Sequence, residues 1–231
     1  MPRSFAERMN TVTLASFPVI ALLALSLSLP RFVEGMAVLS GNAALDDMKA
    51  GVGDLDSVAA LARSRERTVS VIDRGKYHGE LSSALELLGR FEVGDQRKAT
   101  LDRAIQEAER GVTQAPADAI VWYRLAKASF ERYGANQKAV DAVLSSIAIG
   151  PYESELMVPR LDILFASRSY LNRQLDDLVD NQVRIAWKRD HASVVRIIRR
   201  NGAADIVRRG LAREPSMADF FDETVAAPSI R

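Results

Sequence analysis

The sequence predicts an all-α protein in which an N-terminal transmembrane helix is followed by stacked antiparallel helical hairpins. One observation is the segment from Thr11 to Leu29, where 19 consecutive residues carry no charge. A second is that apolar residues beyond Gly53 recur with the 3.6-residue period of an amphipathic helix, whereas alternating strand patterns are absent from the sequence. A third is that glycine and proline fall between the periodic segments, where they end helices.

The uncharged segment is long enough to cross a bilayer. As a helix it would extend roughly 28 Å, close to the ~30 Å thickness of the hydrocarbon core. Its polar side chains are Ser and Thr, which can hydrogen-bond to their own helix, and this disfavours a buried core helix. A cleaved signal peptide is the alternative, with a weak cleavage site at 35–37. The length of the apolar segment favours an uncleaved signal anchor.

Charged residues flanking the anchor predict its orientation. Arg3 and Arg8, with the amino terminus, place residues 1–10 in the cytoplasm by the positive-inside rule. Residues 30–53 are then a linker, 54–214 a helical domain and 215–231 a C-terminal tail that either packs as a cap or is disordered. We expect a single-pass protein of the inner membrane with most of the chain in the periplasm.

Composition excludes several classes of function. The 31 basic and 30 acidic residues nearly cancel, so no overall field favours nucleic acid. The chain has no cysteine, which excludes disulfides and thiolate chemistry. Neither His78 nor His191 has a carboxylate or second histidine at ligand spacing, so we expect no metal and no cofactor.

Neighbouring carboxylates are the remaining candidates for acid–base chemistry. They form two groups: Asp46 with Asp47, and Asp176 with Asp177 and Asp180. Charges of this kind on predicted helices are more often solvated, or favoured by the helix dipole in a first turn. Recognised catalytic motifs are also absent from the sequence. We therefore expect a protein that is not an enzyme.

Capping and breaking residues predict the helix boundaries. Predicted N-caps are Asp54, Asp95 and Asp118, and predicted breaks or stops are Gly75–Gly79, Pro116, Gly134, Gly150-Pro151 and Asn201-Gly202. After Pro151 the periodic segments lie within 152–169, over 175–189, over 192–200 and over 203–213. Pro159 requires a kink or a late helix start in the first of these.

Residues 118–151 form a predicted hairpin that resembles a tetratricopeptide repeat. The matching positions are Trp122, Leu125 and Ala126 in the first helix, and Ala139, Val143 and Pro151 in the second helix and terminus. A set of residues with the same spacing as Ala139, Val143, Ser146 and Pro151, which we call the echo, lies 35 residues earlier. It comprises Ala104, Ala108, Gly111 and Pro116. The resemblance covers about 85–151. It departs from the motif at Ser129, where the motif has a large aromatic residue, and the neighbouring Phe130 is the substitute for that residue.

The resemblance implies where a partner would bind. First helices of stacked hairpins line a concave face, so Trp122 is expected in the core and Tyr123, Arg124 and Lys127 on the open surface. A second candidate lies between 160 and 213, which carries six more positive than negative charges. Either these are solvated helix faces, or Arg196, Arg199 and Arg200 belong to a patch for phosphate-bearing headgroups or an acidic partner.

Residues 146–153, with Leu156, Arg160 and Leu161, resemble uncharacterised anchored proteins of alphaproteobacteria associated with surface-polysaccharide gene neighbourhoods. This resemblance implies a setting rather than a chemistry. The leading hypothesis is a non-enzymatic scaffold or adaptor that binds a protein partner in an envelope assembly. The alternatives are an enzyme or accessory subunit acting on envelope glycan or lipid, and a structural subunit whose transmembrane helix is the interface.

Overall fold

A computed structural model describes residues 18, 21–29, 32–33, 35–36, 39, 41–42, 54–172 and 175–226. Between 54 and 226 it has nine α-helices: α1 Leu55–Val71, α2 Gly75–Gly89, α3 Gly94–Gln114, α4 Ala119–Tyr133, α5 Gln137–Ile149, α6 Met157–Ala166, α7 Asp176–Asn201, α8 Ala204–Leu211 and α9 Pro215–Ala226. A 3-10 helix, Arg168–Tyr170, follows α6. The described ranges contain no strand, which confirms the all-α prediction.

The chain divides into two compact units, and the boundary between them along the sequence falls between Ile72 and Asp73. The first unit contains α1, which the sequence analysis assigned to the hairpin domain, and a helical segment over 21–29. Every leucine of that segment is exposed. The hydroxyls of Ser26 and Ser28 donate to the carbonyls of Leu23 and Ala24, each over 2.8 Å.

Within the described ranges, no helix combines the length and the apolar character that crossing a membrane requires. The predicted span Thr11–Leu29 includes residues 11–17 and 19–20, which lie outside the described residues. Residues 1–10, Asp46 and Asp47 also lie outside them. The anchor and the orientation therefore stay predictions.

The second unit is a succession of packed helices. Helix α2 packs on α3, α4 on α5, and α6 on α7, and the first helices of successive pairs also touch, α2 with α4 and α4 with α6. Neighbours along the chain run antiparallel. Arg132 near the end of α4 pairs with Asp102 in the first half of α3, while Val121 near the start of α4 lies against Gly111 near the end of α3.

Small residues allow the helices to approach closely. A Cβ atom on Gly75 would lie 2.6 Å from the Gly111 carbonyl oxygen, and one on Gly111 would lie 2.7 Å from Val121 Cγ1. The echoed positions of the sequence, Ala104, Ala108, Ala139 and Val143, are fully buried. The 35-residue echo therefore marks the positions where α3 and α5 contact their neighbours.

Ser146, which echoes Gly111, joins three helices. Its hydroxyl donates to the carbonyl of Ala119 at the start of α4 and accepts from Arg160 Nε of α6 over 3.0 Å. Arg160 also donates from Nη1 to the carbonyl of Gly150 over 2.8 Å. Burial of this guanidinium lowers the pKa of Arg160 to about 10, while the charge of Glu153 acts in the opposite direction.

Several predicted boundaries are confirmed. Asp118 caps α4 by accepting from the backbone N–H groups of Ile120 and Val121. Gly134 and Gly202 end α4 and α7 with φ values of 70° and 63°, which favour glycine. Helix α6 starts late, so that Pro159 lies in its first turn. The interruption predicted between 189 and 192 is a kink within α7 at Asp190.

Two predicted boundaries are wrong. Gly75 and Gly79 were expected to break the helix, but both lie within α2, Gly75 as its first residue and Gly79 as its fifth, and the break falls at 72–74. Tertiary contact, namely the close approach of α2 to α3, outweighs the poor helix propensity of glycine. Asp95 is not an N-cap: Val93 precedes α3, and Asp95 pairs instead with Lys98 over 2.9 Å.

The tail from Pro215 packs as a cap. Phe221 of α9 is buried, and its ring lies edge-on to Trp187 with 5.5 Å between centroids. Phe220 contacts the same indole at 6.0 Å and the exposed ring of His191 at 5.2 Å. Residues 227–231 lie outside the described part of the chain.

We predict that Gly111→Val lowers the free energy of unfolding by about 1–3 kcal/mol, because the new side chain overlaps Val121 and the Gly75 backbone. Urea unfolding measures the change. Thr113→Val introduces the same residue at an exposed position of α3 and should stay within about 0.5 kcal/mol of the parent. Equal stability of both variants would contradict the close-approach account.

Candidate functional site

A groove of about 240 Å³ opens between α2, α4 and the segment before α6. We call it the α2–α4 groove. Its lining residues are Ser82, Ser83, Glu86 and Leu87 of α2, Ile120, Tyr123, Arg124 and Lys127 of α4, and Glu155 and Leu156. The structure thus brings together the three residues of α4 that the sequence analysis placed on the open surface.

Helical spacing explains why these α4 residues share one face. Ile120, Tyr123 and Lys127 are three and four residues apart, so they lie along the same stripe of the helix. The opposite stripe is buried and includes Val121, Leu125 and Ala128. Trp122, expected in the core, is only half-buried, and its indole N–H donates to the Pro116 carbonyl over 2.8 Å.

A buried carboxylate organises the charges of the groove. The side chain of Glu86 is 4% exposed, and its two oxygens take different cations. Lys127 Nζ lies 2.8 Å from Oε2, and Arg90 Nη2 lies 2.6 Å from Oε1. Because each oxygen of the Glu86 carboxylate pairs with one cation, the carboxylate holds Lys127 and Arg90 in place at this groove.

Tyr123 combines an apolar ring with a neutral hydroxyl. Burial raises the pKa of Tyr123 to about 12, and the negative charges of Glu86 and Asp162 add to the shift. The phenol therefore stays protonated over the physiological range. Beside it, Arg124 donates from Nη1 to the carbonyl of Lys76 over 3.4 Å, so its guanidinium lies across the first turn of α2.

The second predicted set does not join this groove. Arg196, Arg199 and Arg200 lie exposed on the second half of α7 and are absent from the groove lining. Arg200 forms an ion pair with Asp162.

Cross-helix ion pairs account for much of the positive charge between 160 and 213. Among the described residues these pairs are Lys188 with Glu214, Arg208 with Asp222, Arg209 with Asp176 and Asp180, and Arg213 with Asp177. Glu214 and Asp222 lie just beyond the segment in which the excess was counted. The Asp176, Asp177 and Asp180 carboxylates each face an arginine and form no acid–base pair with one another.

Sequence reasoning missed a buried histidine held by two carboxylates. His78 Nδ1 lies 2.7 Å from Glu107 Oε2, and His78 Nε2 lies 2.7 Å from Asp73 Oδ1. Glu107 lies on another helix, 29 residues away along the chain, so local spacing gave no signal. The two ring nitrogens point in opposite directions and cannot both bind one ion. In the described part of the chain, no cluster of three metal-binding side chains has the geometry to hold a metal.

Comparison with known proteins gives no family for this chain. No protein-family model matches it, and no curated protein matches it.

We predict that Tyr123 titrates near pH 12 and that Tyr123→Phe removes its contribution from the ultraviolet absorbance of tyrosinate. Because the folded-state pKa is raised, the stabilisation from Tyr123 is complete below about pH 10 and is lost as the pH rises towards 12. Tyr152→Phe, at a 74% exposed position, is the control. If Tyr152→Phe removed the absorbance change near pH 12 and Tyr123→Phe left it in place, the prediction would be wrong.

Proposed function

We propose that this chain is a membrane-anchored, non-enzymatic scaffold whose α2–α4 groove binds a protein partner in a bacterial envelope assembly. The observation that carries the proposal is the groove lining, in which Tyr123, Arg124 and Lys127 surround a cleft between two first helices. Tyrosine and arginine are the residue types that most often dominate binding energy at protein interfaces.

Helix packing supports an architecture of the tetratricopeptide kind. The contacts of α2 with α4 and of α4 with α6 place first helices side by side, the arrangement that forms the inner face of a hairpin stack. Such faces commonly bind a helix or an extended peptide from a partner. The resemblance is one of fold, and the site chemistry carries the functional argument.

The lining indicates what kind of partner segment fits. Leu87, Ile120 and the ring of Tyr123 offer apolar surface for one side chain of the partner. Lys127 and Arg124 stand beside that surface together with Glu86 and Glu155, and the two cations would pair with a carboxylate of the same segment. We therefore propose a segment that carries an apolar anchor next to an acidic residue.

The exposed helical segment over 21–29 supports the membrane anchor. Its leucines are between 52% and 74% exposed, which is unfavourable in water and favourable in lipid. The Ser26 and Ser28 hydroxyls bond to carbonyls of their own helix, so they need no water. We propose that Thr11–Leu29 spans the inner membrane once and holds the hairpins in the periplasm, in a setting related to surface polysaccharide.

We predict that Tyr123→Ala combined with Arg124→Glu reduces partner recovery at least about tenfold when the full chain is purified in mild detergent. The double change removes the aromatic surface and reverses a charge of the groove. The matched control is Tyr152→Ala with Arg189→Glu, both exposed and outside the groove. Equal recovery with both double variants, or reproducible recovery of the parent alone, would refute the scaffold proposal.

We predict that Leu23→Arg with Leu25→Arg releases the protein from membranes, because each buried arginine costs about 2.5–3.5 kcal/mol at the centre of a span. Alkaline extraction of the membrane fraction measures the release. Leu55→Arg changes a leucine that is 46% exposed at the start of α1 and should leave the protein in the membrane. Release of the unaltered protein by the same extraction would disprove the anchor.

A further inference from the structure

The first turn of α2 is held by tertiary contacts rather than by its own sequence. Arg74 precedes the helix and provides no side-chain cap. Gly75 begins the turn and Gly79 follows it directly, and glycine is a poor helix former. Two backbone bonds close it, from Tyr77 N–H and His78 N–H to the Arg74 carbonyl over 2.9 and 3.3 Å. A turn of this composition needs an external constraint to stay closed.

His78 supplies that constraint. Its ring bridges Asp73, which precedes α2, and Glu107 of α3, with 2.7 Å on each side. Gln114 Nε2 donates to the same Asp73 oxygen over 2.7 Å, and Arg110 Nη1 lies 2.9 Å from the other oxygen of Glu107. The bridge therefore ties the entry to α2, α2 itself and α3 together.

The number of protons on the ring decides whether both contacts can exist. An imidazolium has two N–H donors, whereas a neutral imidazole has one donor and one acceptor. An ionised carboxylate only accepts hydrogen bonds. The bonds from Gln114 and then from His78 lower the pKa of Asp73, which keeps this carboxylate ionised. Both contacts are satisfied together only when the ring is protonated.

The two carboxylates differ in how easily they can leave the ring. The side chain of Glu107 is 8% exposed and paired with Arg110, whereas that of Asp73 is 73% exposed. A neutral ring would therefore keep its N–H on Glu107 and turn a lone pair towards Asp73. The other charges at this turn are Arg74 and Lys76 on the chain itself and Arg124 from α4, which contacts the Lys76 carbonyl.

We propose that His78 is a proton-controlled latch on the first turn of α2, closed when the ring is protonated and opened at Asp73 when the proton leaves. Loss of the proton leaves one N–H donor for two acceptors, so the ring can then bond only one of the two carboxylates. The inference rests on the Asp73–His78–Glu107 contacts and is independent of the proposed partner.

Amide hydrogen exchange at single-residue resolution tests the latch on the full chain in detergent. We expect the protection factors of the Tyr77 and His78 amides to fall about tenfold across the pH at which the His78 ring loses its proton, located by NMR of the ring, after correction for intrinsic exchange. The amides of Ile120 and Val121 are the internal control, because Asp118 caps them without a histidine. Their protection factors should not change.

Two variants separate the latch from a general loss of structure. Asp73→Asn places an amide beside the ring, which can donate to a neutral imidazole, so protection should stay high on both sides of that deprotonation. Asp73→Ala removes the contact, so protection should be low at both. An unaltered chain without a pH response, or an Asp73→Ala variant that keeps it, would overturn the proposal.

Discussion

Helices α2 and α3 approach so closely that a methyl group on either Gly75 or Gly111 would overlap the neighbouring helix. The next hairpin repeats the constraint with different residues. Ser146 bonds to the Ala119 carbonyl, and a Cβ atom on Gly150 would lie 2.8 Å from Ala119 Cβ. In both places the C-terminal end of a hairpin's second helix (α3 or α5) contacts the N-terminal end of a first helix (α2 or α4). These contacts fix the register of α2 and α4, and that register forms the groove.

Charge pairing inside the fold separates structural cations from those available to a partner. In the described C-terminal helices, carboxylates of α7, α9 and the turn before α9 face arginines and lysines across helix boundaries. In the groove, Glu86 pairs with both Lys127 and Arg90, Arg90 also pairs with Glu131, and Glu155 is a second carboxylate of the lining. The groove therefore presents acidic and basic groups side by side. Several of the basic residues after Arg160 are thus paired within the fold, and the patch of Arg196, Arg199 and Arg200 stays a prediction.

Local signals in the sequence predicted much of the fold. Asp118 as a cap and Gly134 and Gly202 as stops follow from backbone chemistry that acts within a few residues. The resemblance to a tetratricopeptide repeat placed Tyr123, Arg124 and Lys127 on one open surface, and all three line the α2–α4 groove. Contacts between distant residues were not predictable in this way. The helical state of Gly75 depends on Gly111, and the bridge at His78 depends on Glu107, in each case on another helix.

Site-specific photo-crosslinking in intact membranes tests the central claim, that the α2–α4 groove is where a partner binds. A photoreactive amino acid is placed at Ser83 or Ile120, which line the groove, and at Thr113, which is exposed on α3 outside it. The account predicts one discrete adduct with the same protein from both groove positions and none from Thr113. Absence of an adduct from the groove positions, or the same adduct from all three, would contradict it.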